Sequence, residues 1–280
     1  MKTYKKIVLY TLLALSVERF CHWKTEGFTI RKIQADLPFH PEWECTPLSG
    51  VEQSEVEKAL GQKFSYLASG GSCYVFASED GRYVLKLFKH HRLYPYPWAE
   101  HLPLPRFLKQ KIDHYQRKRA RVFASCKSAF EELRDDTALL FVHLNKTGVT
   151  GSHLTLVDKL GIVHKISADN VEFLLQKKAE IAYAHIDQLM AKHDILGAQH
   201  AVGEIRSLIW QIAHKGFKDL DPNVETNVGF IDGKAVKIDV GPLVKDENRK
   251  KEMMRSVKYT HRLNKWLKDR YPELYESLNP

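Results

Sequence analysis

The sequence predicts an α+β chain of two lobes, a β-rich one first and a helical one after it. Three observations predict this. Short segments with strand-like alternation, separated by turn residues, recur between Phe64 and Gln176. Helical periodicity takes over at about 178–192 and 196–215. One late hairpin pattern follows, from Asn227 to Gly241. Strands first, helices second and a single late hairpin indicate two packed lobes. With 280 residues and 44% apolar content the chain can bury a sizeable core, and its length allows one or two domains.

The first twenty residues stand apart. Lys2, Lys5 and Lys6 precede an apolar run from Ile7 to Val17, and Glu18 and Arg19 end it. A basic flank before a short apolar run reads as a secretory signal or a membrane-associating helix, and it is short for a transmembrane span. The chain is therefore expected to be secreted or membrane-associated through residues 1–20, or otherwise cytoplasmic. Residues 21–59 read as an irregular extension broken by Pro38, Pro41, Pro47 and Gly50, with a short helix from Ser54 to Leu60 capped by Ser54. Residues 60–178 form the β-rich lobe. It opens with strands from Phe64 to Phe88, turning at Gly70-Gly71 and at Glu79-Asp80-Gly81. A proline- and aromatic-rich loop leads into a basic helix from Arg106 to Arg134, and residues of about 90–121 read as an insertion. Strands at Leu139–Leu144, Leu154–Val157, Ile162–Ile166 and Phe173–Gln176 follow. Residues 179–280 form the helical lobe, with the late hairpin, a charged helix from Asp246 to Arg270 and a last short helix from Pro272 to Ser277. There are no internal repeats. The four cysteines show no metal-ligand spacing and read as free thiols, with a Cys21–Cys45 disulfide expected only if that region is exported.

The hairpin carries the chemistry. It turns at Asp232-Gly233, opens on Asn227 and closes on Asp239 in an Asp-x-Gly triplet. A hairpin brings its ends together, so an amide oxygen and a carboxylate arrive side by side, a pair of hard oxygens suited to Mg²⁺. Upstream, Ser69-Gly70-Gly71-Ser72 sits between two strands, where small residues let backbone amides approach phosphates. Lys86 lies within the apolar run Tyr83–Phe88, where an ammonium must find an anion. The segment His214–Pro222 leaves a helix through Gly216 and carries Asp219 and Asp221.

In this order the motifs resemble the active site of the protein-kinase-like superfamily, over roughly residues 60–245. The resemblance implies a β-rich N-lobe, a reduced helical C-lobe and ATP with Mg²⁺ between them. Gly70, Gly71 and Ser72 would cradle phosphates, and Lys86 would hold the α- and β-phosphates. Glu131 or Glu132, with Glu132 preferred, would pair with Lys86. Asp221 would orient the acceptor hydroxyl, with Asp219 as the alternative. Asn227 and Asp239 would hold the metal, and Gln176 and Lys178 in the hinge-like Phe173–Lys178 segment would contact the nucleotide. The chain departs from the pattern at several points. Ala68 and Cys73 replace glycines, Val240 replaces the usual Phe, and no Ala-Pro-Glu follows. The loop from Asp221 to Asn227 is one residue longer than usual. These departures resemble the atypical group that includes small-molecule, lipopolysaccharide and uncharacterised bacterial kinases.

The net charge of +9 favours anionic partners: a nucleotide, an anionic acceptor or an acidic membrane surface. No nucleic-acid module is present, so nucleic acid is not the expected partner, and nothing in the sequence sets an oligomeric state. Two further readings compete with an ATP-dependent phosphotransferase. One is an inactive kinase-like scaffold, motivated by the degraded glycine turn. The other is a basic membrane adaptor in which the hairpin is only structural.

Overall fold

A computed structural model describes residues 2–99, 102–146, 151, 153–241, 243–246 and 258–278. Helix α1 spans Lys2–Thr25, longer than the expected N-terminal segment. It stops where Glu26 and Gly27 take left-handed conformations (φ 49° and 72°), and the Gly27 amide closes on the His22 carbonyl at 2.9 Å. After α2 (Ile30–Ile33), α3 runs over Gly50–Leu60. It begins a turn earlier than expected, because Ser49 and Glu52 form a reciprocal capping box that outcompetes Ser54.

The N-lobe follows as β1 (Lys63–Ser69), β2 (Cys73–Ser78), β3 (Tyr83–Phe88), α4 (His90–Leu93), α5 (Arg106–Glu132) and α6 (Arg134–Thr137). It continues as β4 (Leu139–His143), β5 (His153–Val157), β6 (Val163–Ser167) and β7 (Phe173–Lys177). These seven strands make one curled, mixed sheet in the order β4-β7-β3-β2-β1-β5-β6, parallel only between β1 and β5. The expected helix from Arg106 to Arg134 forms as the 27-residue α5, ending two residues earlier at Glu132.

The C-lobe contains β8 (Glu180–Ile181), α7 (Ala182–Ala191), α8 (Ile195–His214), β9 (Phe217–Asp219), α9 (Val224–Asn227), β10 (Val228–Ile231), β11 (Lys234–Lys237) and β12 (Leu243–Lys245). It ends with α10 (Lys258–Arg270) and α11 (Pro272–Leu278). Of the expected charged helix from Asp246, residues 247–257 lie outside the described residues. The chain is thus α+β, a β-rich N-lobe followed by a helical C-lobe carrying two small sheets, β11-β10-β8 and β12-β9.

Strand alternation divides the interior in two. Leu85 and Leu87 face a cluster with Phe28, Phe64, Phe76 and Leu175 under α2 and α3. Phe88 and Leu174 face the other side, where Phe123 of α5 is fully buried between Trp43 and Phe88, ring centroids 4.8 and 4.9 Å away. Burying such a ring contributes about 1.5–3 kcal/mol. That second cluster continues without a break into α7, α8, α10 and α11, so one core spans both lobes. Lys86 lies between Leu85 and Leu87 and so points to this second side, toward the junction.

Candidate active site

The hairpin forms as its residues dictate. Asp232 and Gly233 both take positive φ (49° and 79°), the mirror-image turn that matches strand twist. The register pairs Val228 with Lys237 and Ile231 with Lys234. At its open end the Ile238 amide donates to the Asn227 carbonyl at 2.9 Å, so Asn227 and Asp239 are held one residue out of register with each other.

Asn227 is buried and ends the one-turn helix α9, which Asn223 caps by accepting from the Glu225 amide at 3.2 Å. Its Nδ2 donates to the Asp221 carbonyl at 3.0 Å and to Asp221 Oδ2 at 3.1 Å. Its Oδ1 accepts from the Thr226 hydroxyl at 2.9 Å, leaving one lone pair. Asp239 is exposed, and among the described residues only its Oδ1 is engaged, by the Gly241 amide at 3.2 Å. Lys86 reaches the same place from the N-lobe and donates to the Ile238 carbonyl. Burial pulls its ammonium below the ordinary lysine range, and the Asp239 carboxylate opposes that pull. Lys86 of the N-lobe and Asp239 therefore meet at Ile238, whose amide binds Asn227, and Asn227 in turn holds Asp221.

Asp219 sits elsewhere. Its carboxylate pairs with the buried ammonium of Lys237 and accepts from the Asp221 amide at 2.9 Å. It fixes the shape of the loop while Asp221 stays exposed. Lys237 also lies 3.4 Å from the Asp221 carbonyl. Behind the loop, Leu208, Ile212, Phe217, Pro222 and Val224 line a small apolar cleft, with Lys237 among its lining residues.

Two expectations need correction. Glu132 does not pair with Lys86. It shares a side of α5 with Ser125 but lies two turns, about 10 Å, further on, where Lys245 binds it at 2.7 Å. Glu131 instead accepts from the Thr46 amide and hydroxyl, both at 3.3 Å. The part of α5 at the junction carries Val122, Ser125 and Cys126, and Ser125 donates to the Val240 carbonyl at 2.5 Å. Among the described residues no carboxylate forms an ion pair with Lys86. Two thiols lie in its field instead: burial pushes Cys73 up to about 12 and Cys126 well above its usual value, so both stay protonated and add no charge. Gln176 is the second correction. It is buried, and its Nε2 donates to the Thr137 and Lys237 carbonyls, so it is a strut between lobes, while its Oε1 is buried without a partner among the described residues. Lys178 has an exposed side chain, and its amide donates to the Arg82 carbonyl at 2.7 Å.

The glycine turn has a double character. Its carbonyls are taken. Lys89 donates to Gly70 O at 2.5 Å and Ser69 Oγ at 2.6 Å, its own amide donates to Ser72 O at 2.8 Å, and Arg92 reaches Gly71 O at 3.1 Å. The Gly70 amide is used within the turn, on Cys73 O at 2.9 Å. Among the described residues the Gly71 and Ser72 amides have no partner, and a Cβ on Gly71 would meet nothing within 4 Å. The tip therefore offers two donors without partners among the described residues, with open space beside Gly71. Sequence reasoning missed Lys237, Ser125 and Lys89. Only Lys89, directly after the strand that holds Lys86, carried a signal in the sequence.

No protein-family model matches the sequence, and no curated protein does. Among solved structures, the chain is similar to WbdD, crystallised with the kinase inhibitor LY294002, at 14% identity and a TM-score of 0.34. That likeness covers 65% of this chain and 34% of the WbdD chain, so this chain spans about a third of WbdD. It is also similar to Rv3197 from Mycobacterium tuberculosis, solved with erythromycin, at 13% identity and a TM-score of 0.33, over 98% of this chain and 75% of that one. Scores this low leave the reading of the site to its own contacts.

Proposed function

We propose that the chain is a kinase-like phosphotransferase that uses ATP and Mg²⁺. The observation that carries the reading is the run of contacts that joins Lys86 to Ile238, beside Asp239, and on through Asn227 to Asp221. In this reading the free Asp239 oxygen and the remaining lone pair of Asn227 Oδ1 supply two hard ligands for Mg²⁺. Two protein ligands suit an ion that takes the rest from water and phosphate. The metal, when bound, would neutralise charge on the transferring phosphoryl group. Lys86 binds phosphate oxygens in place of the Ile238 carbonyl, and the Gly71 and Ser72 amides bind them from above. Asp221, held by Asn227, orients an acceptor hydroxyl and takes its proton late in transfer. The acceptor class is a hydroxyl on a protein, small molecule or glycan.

Titration calorimetry with Mg-ATP tests the reading, together with release of the γ-phosphate. Asp239→Ala and Lys86→Met should abolish turnover, and Asp221→Asn should lower it about 10²–10⁴-fold. Absence of binding, with no effect of Asp239→Ala, would overturn it. One observation favours a second reading, an inactive nucleotide-binding scaffold: Lys86 has no carboxylate partner on α5. Binding without turnover is the outcome that reading expects.

A further inference from the structure

Between Ile7 and Val17 helix α1 is apolar on every side, and its side chains are exposed among the described residues. Eleven of its large apolar side chains, from Tyr4 to Trp23, are 39–72% exposed. At 100° per residue, Ile7, Val8, Leu9, Tyr10, Leu12 and Leu13 already point all the way round the helix. A one-sided stripe would fit a protein groove, but an all-round apolar surface belongs inside a core or a lipid phase. A second copy of the helix would cover one side and leave the other wet.

The polar atoms within the apolar run are already satisfied. Thr11 donates to the Ile7 carbonyl at 2.9 Å and Ser16 to the Leu12 carbonyl at 2.8 Å, so neither needs water. Charge gathers at the two ends. Lys2, Lys5 and Lys6 lie before the run and Arg19 and Lys24 after it, against Glu18 alone. Lys24 lies 4.8 Å from the Trp23 ring and 5.7 Å from the Phe20 ring, an arrangement suited to a headgroup boundary. The run from Ile7 to Val17 is about 16 Å long, half the thickness of a bilayer core. Among the described residues no helix is long and apolar enough to cross a membrane. The far end is fixed to the N-lobe. Glu26 accepts from the Tyr66 hydroxyl at 2.9 Å, Gly27 O accepts from the Tyr74 hydroxyl at 2.8 Å, and Phe28 packs on Tyr74 and Phe76 at 5.2 Å each.

We infer that α1 lies along one leaflet of an anionic bilayer, its apolar run below the headgroups and both cationic ends at headgroup level, and holds the N-lobe at the membrane surface. This holds whether or not the chain transfers phosphate.

Flotation of the full chain with phosphatidylcholine vesicles, with and without phosphatidylglycerol, tests it. The wild type should float with the phosphatidylglycerol vesicles. Leu9→Glu/Leu13→Glu should lose at least tenfold in partitioning while keeping the wild-type melting curve, because both side chains are exposed. Lys5→Glu/Lys6→Glu should weaken flotation at low salt. A wild type that stays at the bottom overturns the inference, whatever its oligomeric state. So does a Leu9→Glu/Leu13→Glu chain that floats as well as wild type, since binding would then come from a basic face elsewhere.

Discussion

Lys237 shows how one residue can decide the loop that follows it in space. Its ammonium is buried at the end of a hairpin strand and meets the Asp219 carboxylate, itself mostly covered. An uncompensated buried charge is far costlier than a buried pair is stabilising. Asp219→Ala should therefore destabilise the fold by about 3–5 kcal/mol, read as a lower urea midpoint. Adding Lys237→Met should recover much of the loss. If Asp219→Ala unfolds like wild type, the pair has no such role. Lys89 gives a pH test at the same scale. Burial, helped by nearby Arg92, pulls it from an ordinary 10.5 down to about 8. Between those values the unfolded chain holds a proton that the folded chain has released, so stability rises with pH across that window. Wild type should gain on Lys89→Met as pH climbs from about 8 to 10.5 in parallel melting curves; a constant difference would contradict it. The burial of Lys237 was not legible in the sequence, because a lysine in an alternating strand reads the same whether its head is paired or solvated, whereas Lys89 offered only its place directly after the strand that holds Lys86.

At the scale of elements, local chemistry was legible and tertiary phase was not. The Asp232-Gly233 turn could be read because its two positive-φ positions need those residue types. The hairpin then had to juxtapose Asn227 and Asp239. The glycine turn and the strand holding Lys86 were readable for similar reasons. The partner of Lys86 was not, because it depends on how α5 slides and rotates against β3. A shift of two turns along the helix exchanges Glu132 for Ser125. Gln176 was misread because a strand pattern does not say what lies over its end. The third strand of the small sheet also escaped the pattern, and it explains Gly229. A Cβ there would come 2.6 Å from the Glu180 carbonyl and 2.8 Å from the Ala179 side chain. Gly229→Ala should push β8 off β10 and cost about 1–3 kcal/mol, seen as faster amide exchange at Ile181 and a lower melting temperature. Unchanged exchange would mean that the approach relaxes without penalty.

For the whole molecule, the decisive feature is that the proposed ligand set is divided between lobes. Lys86, Gly71 and Ser72 belong to the N-lobe, whereas Asp221, Asn227 and Asp239 belong to the C-lobe. A continuous core through Phe88, Leu174, Val240 and Leu243 already joins the two, and Lys215 pairs with the buried Asp136 across the same junction. A ligand that bridges the lobes binds only the assembled state, so its affinity adds to stability by mass action. At a hundredfold excess over its dissociation constant the gain is about 2.7 kcal/mol, which for a chain of this size is of order 5 °C in melting temperature. Mg-ATP should produce that shift in the wild type, and ATP with a chelator should produce much less. Asp239→Ala should abolish the magnesium-dependent part, since its free oxygen is the exposed hard ligand of the pair. Lys86→Met should reduce the shift from the other lobe. Equal shifts in wild type and Asp239→Ala would place the nucleotide away from the hairpin and end the phosphotransferase reading.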